Sequence, residues 1–530
     1  MTATLTPTSR AALLDELETT HFDLIVIGGG IAGAGIAREA AARGLRVALC
    51  EAGDFGIGTS SRSSKLIHGG LRYLAQGRVD FVRRTTQERA GVHAMAPHLA
   101  RPCWMVTPAR DQLHALVIRS ALTVYERLGG IGRGDTHIGW DRDELAEREP
   151  ALRLDTHGLA IAHREYLTDD IRLVLAVLRA AARSGATLAS RVPVRGFLRR
   201  GARIEGVVVH CGASDREIQV RGAVVVNAAG PWVGRLAKLE AEPPAANVVF
   251  SKGVHVVVDR DRLPVKHPIL YTASDRRWIY MVPRGPVVYL GTTDTPYEGA
   301  RVTWPPIDRA DVDYLLAPLA GYLAAPPPTA DDVIAAWAGL RALPVHHVRK
   351  VTSMSREAEI CVGPGMLLSV AGGKLTGFAG LATSTVEAAG RLLDRELPPG
   401  PGTQPLPGAA PEPIVDDERL HHLYGSDALA VMALGPDRLV DGAPVLVGEV
   451  DWAVGVEAAS TVEDVIYRRT LAAWFQPRHR VALAGAVADR MTTLLGWSPQ
   501  RREEELCVLH QRFVAELSFR SSSATRCRWS

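Results

Sequence analysis

Asp23-Leu24-Ile25-Val26-Ile27, followed by Gly28-Gly29-Gly30-Ile31-Ala32-Gly33, is the stretch that decides how this chain folds. The branched apolar run reads as a buried strand, and the glycines after it fit GxGxxG. Gly28 permits a tight turn, Gly30 lets backbone approach a pyrophosphate, and Gly33 allows a helix to pack close to the strands. That helix, read over Ile36–Ala42, turns its N-terminal N–H groups toward phosphate charge. A second strand, Leu45–Cys50, ends at Glu51, whose carboxylate suits the two hydroxyls of a ribose and repels a 2′-phosphate. This βαβ beginning predicts a Rossmann-like α/β dinucleotide-binding domain and disfavours NADP.

Outward from this unit, Ile171, Val174, Leu175 and Leu178 recur at helical spacing between Asp170 and Arg183. Val224-Val225-Val226-Asn227-Ala228-Ala229-Gly230 reads as a buried strand running into small residues, like the second dinucleotide-contact strand of flavin oxidoreductases. Alternation then takes over. Val254–Val258, Trp278–Val282 and Val287–Gly291 read as sheet strands, with a hairpin turn at Arg284-Gly285-Pro286. Leu397 to Pro413 is crowded with Pro and Gly and has no periodic apolar face, whereas Val462–Phe475 and Arg478–Leu495 are long amphipathic runs. The organisation expected is therefore an FAD-binding domain (21–80, 150–240 and 345–396) and a β-rich substrate domain (81–149 and 241–344). A linker (397–415) leads to a small helical C-terminal domain (416–517), with an N-terminal extension (1–20) and a polar tail (518–530) at the ends.

Composition narrows the class. The chain has 530 residues, more than one hydrophobic core supports. Its 61 basic and 58 acidic side chains leave a net charge of +3, which argues against a nucleic-acid partner. The six cysteines are scattered, with no CxxC pair and no zinc-ligand spacing, so no metal is expected and free thiols in a reducing cytoplasm are. Met1–Thr20 lacks the basic start and apolar core of a signal peptide, and no run of about 18 apolar residues occurs.

Gly58-Thr59-Ser60-Ser61-Arg62-Ser63-Ser64-Lys65-Leu66-Ile67-His68-Gly69-Gly70-Leu71-Arg72-Tyr73-Leu74 is too polar for a core element and too ordered in composition for a linker. Together with Val26–Gly30 it resembles the signature of the FAD-dependent glycerol-3-phosphate dehydrogenase family. Further matches run in order through Asp169–Leu173, Asn227–Val233, Lys252–His255, Gly291–Asp294, Gly339–Arg341, Gly372–Thr376, Thr461–Val465 and Arg468–Thr470, about Phe22 to Leu495 in all.

The resemblance implies FAD as cofactor and a small phosphorylated polyol, sn-glycerol 3-phosphate, as substrate. It implies that Thr59, Ser60, Ser61, Lys65, His68 and Gly69 lie along the flavin, with Gly230 at the second contact strand. Small hydroxyls bond phosphate oxygens without crowding a ring, and glycines leave its face open. Gly372, Gly373, Leu375 and Thr376 precede a helical run, Leu381–Leu393, whose N-terminus suits the flavin edge that gains negative charge on reduction. A phosphate needs cations, and Arg72, Arg276, Arg341 and Lys374 are the candidates, with Tyr73 beside them. Arg341 is also the candidate for stabilising a developing alkoxide, and His255 for taking a proton, a structural role for His255 standing equally open.

Members of that family usually have Asn where this chain has Ala32, Pro where it has Ala342, and a Thr-Tyr-Arg run where it has Gly377-Phe378-Ala379. These departures leave open a longer polyol phosphate, such as erythritol phosphate, or an amine or amino-acid oxidase of the same flavin fold. The electron acceptor implied is a quinone, with oxygen as the alternative. The location expected is cytoplasmic, with peripheral contact on the inner face of the membrane and a homodimer both open.

Overall fold

The apolar run at Asp23 lies in β1 (His21–Ile27), flanked on both sides by parallel strands, β2 (Val47–Cys50) and β10 (Arg216–Asn227). The register sets Leu24 beside Val47 on one side and Val224 on the other, and Ile25 between Ala48 and Val225, so the middle of the sheet is apolar throughout. β7 (Thr187–Ala189) extends this sheet past β2, while β18 (Leu368–Ala371) and the antiparallel β17 (Glu359–Val362) extend it past β10. The hairpin β8 (Val194–Arg200) and β9 (Arg203–Cys211) pairs onto β10. Strand order reverses between β1 and β10, and the carboxyl ends of strands at such a point border a ligand crevice.

This computed structural model describes residues 4–7, 9–74, 77–212, 214–345 and 358–520, without the side chains of Arg72 and Arg133. The tail expected over 518–530 lies, from 521 onward, outside the described residues. Within the N-terminal extension, α1 (Arg10–Thr19) lays Leu13, Leu14 and Leu17 on the core under the first sheet. The helix after the glycines, α2 (Ile31–Ala42), starts five residues sooner than its apolar pattern indicates. Gly33 and Gly35 hide its first turns, and they are there for close packing. A Cβ at Gly33 would lie 1.9 Å from the Gly28 carbonyl oxygen, and one at Gly35 2.9 Å from a Phe378 ring carbon.

A second sheet runs in the order β15 (Thr295–Tyr297), β11 (Val248–Asp259), β14 (Val287–Gly291), β13 (Trp278–Arg284), β12 (Ile269–Thr272), β4 (Ala100–Ala109), β6 (Leu159–Thr168), β3 (Leu66–Ile67). β16 (Val333–Pro344) pairs with β11, and β5 (Ile138–Trp140) with β6. Leu66–Ile67 and Leu159–Thr168, placed by sequence in the FAD-binding domain, thus belong to the other sheet. Strand patterning reports burial and not which sheet a strand joins, so this boundary was invisible. α3 (Leu71–Leu74), α4 (Val79–Met95) and α5 (Gln112–Gly129) pack together at the edge by β6. One face of the second sheet has its own core, with Val106, Ile269, Tyr271, Ile279 and Met281; the other face looks onto the crevice.

Residues 397–415 carry no helix or strand, yet they are pinned to α2: Arg43 Nε donates to the Pro398 carbonyl, and Arg38 to those of Gly402 and Gln404. Helices between Glu418 and Glu516 follow, and their apolar faces merge with the core beside α2 and the Asp170–Arg183 helix. Among the described residues, no helix is long and apolar enough to cross a membrane.

Candidate active site

A cavity of about 710 Å³ opens at the carboxyl ends of β1 and β10 and continues under the second sheet. Gly28 and Gly30 line it, as does Glu51, whose two carboxylate oxygens accept the Gly29 N–H at 2.6 Å and the Gly53 N–H at 2.7 Å. Gly28 has φ +109°, and a Cβ there would lie 2.6 Å from the Ala228 carbonyl oxygen, so only glycine fits. Gly33 does not reach the cavity; its role is the close contact with Gly28. No side chain caps α2 at Gly30, and Ser60 Oγ accepts only the Ile31 N–H, at 3.0 Å. The helix N-terminus therefore faces the cavity as an anion site.

The Gly58–Leu74 segment divides by position. Thr59, Ser60 and His68 line the cavity, with Thr59 Oγ1 donating to the Leu340 carbonyl at 2.5 Å and His68 Nδ1 accepting the Gly70 N–H at 3.2 Å. Ser61 and Lys65 turn the other way and are buried, which corrects their reading as flavin contacts. Lys65 Nζ donates to Asp170 Oδ1 at 2.7 Å and to the Ser61 carbonyl at 3.0 Å, while Asp170 Oδ2 accepts the Ser63 N–H and hydroxyl. Segment and Asp170 thus lock each other, and the cation is used up inside the protein. Gly69 also faces away: its N–H donates to Tyr125 Oη at 3.0 Å, and a Cβ would lie 2.2 Å from that oxygen.

Gly230, Gly372, Gly373, Leu375 and Thr376 line the opposite wall, ahead of the Phe378–Leu392 helix, which has no side-chain cap at Gly377. Two uncapped helix starts and two glycine turns thus frame one elongated cavity, a donor set that fits an anionic dinucleotide carrying a flavin. Phe378 is buried against Gly35, and the family departure at Gly377–Ala379 falls behind the cavity wall, whereas Ala32 and Ala342 are in it.

Arg341, Arg277 and Lys374 line the same cavity. Arg341 donates to Thr292 Oγ1 at 2.9 Å, to the Thr293 carbonyl at 3.1 Å and to Asp294 Oδ1 at 3.3 Å. Arg277 donates to the Asp294 carbonyl at 2.6 Å. Lys374 Nζ stands 4.2 Å from the ring centroids of both Tyr73 and Phe81, and Tyr73 lines the cavity too. Arg276 is a correction: it is exposed, at φ +66°, in the turn before β13, and its neighbour Arg277 lines the cavity instead. Strand alternation leaves a one-residue ambiguity at a turn, and only the turn geometry resolves it. The Arg72 side chain lies outside the described residues.

His255 is corrected as well. It is buried behind the wall, stacked at 4.8 Å on Trp337, with Nε2 3.0 Å from the hydroxyl of Ser64, which does line the cavity. Burial, then Arg341 and Lys65, holds its pKa well below the usual range, so the ring is neutral. It can orient the Ser64 hydroxyl but does not itself line the cavity. Sequence reading missed a buried network behind His68–Gly70, in which Tyr125 Oη donates to Glu165 at 2.8 Å and Arg89 donates to Glu165 at 2.9 Å. No local motif joins α4, α5 and β6, so nothing in the sequence signals it.

Comparison with known proteins decides the family. A model of FAD dependent oxidoreductases matches residues 23–378, and one of the C-terminal domain of alpha-glycerophosphate oxidase matches 409–502. Glycerol-3-phosphate dehydrogenase of Mycobacterium leprae is 34% identical, covering 97% of this chain and 92% of the relative. The chain belongs to the FAD-dependent glycerol-3-phosphate dehydrogenase family. The aerobic glycerol-3-phosphate dehydrogenase of Bacillus subtilis is 31% identical over 93% of this chain and 95% of that one. A glycerol-3-phosphate dehydrogenase from Bacillus halodurans, solved with FAD, superposes with TM-score 0.79 at 29% identity, covering 97% and 98% of the two chains. The cofactor of this family member is FAD, and the glycine-framed cavity is where its residues fit it.

Proposed function

We propose that this enzyme oxidises sn-glycerol 3-phosphate to dihydroxyacetone phosphate and passes the electrons to a quinone. The observation that carries the reading is that Arg341, Arg277 and Lys374 all line the flavin cavity, the two arginines side by side on Asp294. A phosphate dianion needs cations held in advance, and each of these is fixed by a carbonyl, carboxylate or aromatic neighbour before substrate arrives. The glycine-framed part of the cavity is left to FAD, and the polyol chain lies on the side that these cations line. FAD, when bound, supplies the acceptor for the hydride leaving C2. Arg341 stabilises negative charge on the C2 oxygen as its proton leaves, and Ser64, oriented by His255, holds the hydroxyl in place.

Peripheral attachment to the inner face of the cytoplasmic membrane belongs to the same reading. In α5, Leu113, Leu116 and Val117 are 71%, 59% and 60% exposed, with Arg110, Arg119 and Arg127 also exposed around them. An apolar stripe bordered by cations suits an anionic lipid surface, whereas two such faces would repel each other.

Anaerobic addition of sn-glycerol 3-phosphate to the purified holoprotein tests the substrate. Bleaching of the oxidised flavin band is the expected result. No bleaching with it, but bleaching with erythritol phosphate or with glycine, sarcosine or proline, would replace the substrate and keep the cofactor.

A further inference from the structure

Gly69 is held at both of its polar atoms by buried side chains that do not themselves line the flavin cavity, Tyr125 of α5 and Thr85 of α4. Its N–H donates to Tyr125 Oη at 3.0 Å, and its carbonyl oxygen accepts from Thr85 Oγ1 at 2.6 Å, the shortest of three contacts to carbonyls that this hydroxyl makes. The polarity is set from behind. Arg89 donates to Glu165 of β6 at 2.9 Å and to Tyr125 Oη at 3.1 Å. As a carboxylate paired with Arg89, Glu165 only accepts, so the one phenolic proton of Tyr125 goes to it, at 2.8 Å. Burial, then Glu165, raises the Tyr125 phenol well above its ordinary value, and the proton stays on. Toward Gly69, Tyr125 Oη is therefore an acceptor.

These contacts fix two successive peptide planes. The Gly69 N–H belongs to the plane that joins His68 to Gly69, and the Gly69 carbonyl to the plane that joins Gly69 to Gly70. In a trans peptide the N–H points away from the C=O. Pinning the Gly69 oxygen on Thr85 thus sends the Gly70 N–H the other way, where His68 Nδ1 accepts it at 3.2 Å. Gly70 sits at φ +79°, which glycine adopts without strain. A ring nitrogen that accepts an N–H carries no proton of its own, so the neutral His68 ring keeps its proton on Nε2.

We propose that Tyr125 and Thr85 are positioning residues for the reaction: by holding the two peptide planes after His68, they hold the His68 ring at the flavin cavity with Nδ1 turned to the backbone and the N–H on Nε2. The inference rests on the dehydrogenase reading above and adds to it what orders His68. A donor fixed in advance stabilises an oxygen gaining negative charge better than a ring free to turn and to exchange tautomers, because no reorganisation is left for the reaction itself. Holding α4 and α5 against β6 does not by itself call for a buried Arg89–Glu165–Tyr125 chain, since apolar residues of similar volume pack there at little or no loss. What the polar chain adds is direction, and the direction ends on the peptide beside His68.

Tyr125→Phe removes one of the two hydroxyls, Thr85→Val removes the other at nearly constant volume, and Thr85→Ser keeps it. On each holoprotein, hydrogen–deuterium exchange of peptides covering residues 66–74 reads the clamp. Anaerobic bleaching by sn-glycerol 3-phosphate, followed against concentration, reads limiting rate and half-saturation separately. Tyr125→Phe and Thr85→Val are expected to exchange about tenfold faster over 66–74 and to bleach at least about tenfold more slowly at saturation, with FAD content and half-saturation within about twofold of wild type. Thr85→Ser should return exchange and rate to within about threefold of wild type. Faster exchange with an unchanged limiting rate would reduce the clamp to a structural contact and overturn the proposal. Unchanged exchange in both variants that lack a hydroxyl would overturn it too, as would a Thr85→Ser protein as slow as Thr85→Val. If Tyr125→Phe does not fold, the two Thr85 variants decide alone. If wild type is bleached only by erythritol phosphate or by glycine, sarcosine or proline, the substrate reading falls, and the same ratios measured with that compound decide the clamp.

Discussion

Arg469 grips Asp54 through two parallel hydrogen bonds, Nη1 to Oδ2 at 2.7 Å and Nη2 to Oδ1 at 2.8 Å, with both side chains buried. Asp54 lies in the loop that follows Glu51, and Arg469 in the C-terminal region, so the pair ties the helical part to the loop bordering the flavin cavity. Arg468 joins from the same side, donating to Asp54 Oδ2 and Asp464 Oδ1, each at 2.5 Å. Burial alone would raise the Asp464 carboxyl, yet Arg191, Arg468 and Arg469 outweigh it and hold its pKa below the ordinary value.

Removing one partner of such a cluster leaves buried charge uncompensated, which costs about 3–5 kcal/mol. Asp54→Ala is therefore expected to lower the denaturant midpoint and to release FAD more readily on dilution, both measured on the same preparation. A midpoint within experimental error of wild type would show that the cluster does not join the two parts.

Glu516 gives a pH dependence of the opposite sense. Burial pushes its carboxyl up to about 7, with Arg480 and the Tyr467 hydroxyl pulling the other way. A raised acid contributes stability that is fully present below its unfolded value, about 4.3, and is lost as pH rises through its folded value. Wild type should thus lose stability between pH 5 and pH 8 through this group, and Glu516→Gln should lose less. Urea midpoints of the two proteins that shift in parallel across that range would refute the assignment.

Much of this was legible because it is local. The strand, glycine turn and carboxylate from Asp23 to Glu51 need only a short stretch to be read, and the Gly58–Leu74 and Gly372–Thr376 segments are recognised by their resemblance to the family. What stayed hidden depends on pairing between distant segments. Lys65 looked like a flavin contact because its partner Asp170 is 105 residues away. His255 looked like a base because nothing in its neighbourhood announces that Trp337 lies over it. The Arg89–Glu165–Tyr125 network arises from α4, α5 and β6, whose contact depends on the packing of two helices on the second sheet.

Arg341 is the cation whose loss should separate chemistry from cofactor binding. It contacts Thr292, Thr293 and Asp294 on the part of the cavity wall proposed for the substrate. Arg341→Ala is expected to retain FAD and to lose on the order of 10- to 100-fold in kcat/KM for sn-glycerol 3-phosphate, the size of a hydrogen-bonded charge removed. Flavin absorbance per protein and initial rates check the two halves separately, and loss of FAD together with activity would count against a substrate role.

Arg276 and Arg277 offer a comparison between adjacent residues. Arg277 lines the cavity and is tied to Asp294, whereas Arg276 points into solvent. Arg277→Ala should raise KM for the phosphorylated substrate by about tenfold, and Arg276→Ala should leave it within about twofold, as exposed substitutions do. Steady-state kinetics with the reversed ranking would mean that the turn before β13 presents the other arginine.

The outer face of α5 is separable from the site because its inner face carries the contact that matters there, Tyr125 Oη to the Gly69 N–H. Leu116 and Val117 point outward, and burying each in a lipid interface is worth roughly 1.5–3 kcal/mol. Replacing both with Asp removes that gain and adds negative charge to a face bordered by arginines. Wild type is expected to co-sediment with vesicles containing phosphatidylglycerol, less so with added salt, and not with pure phosphatidylcholine. The double variant should stay in the supernatant while still bleaching normally with sn-glycerol 3-phosphate. Equal sedimentation of the two proteins would move the membrane contact to another face, since a surface that tolerates two added carboxylates is not the one meeting anionic lipid.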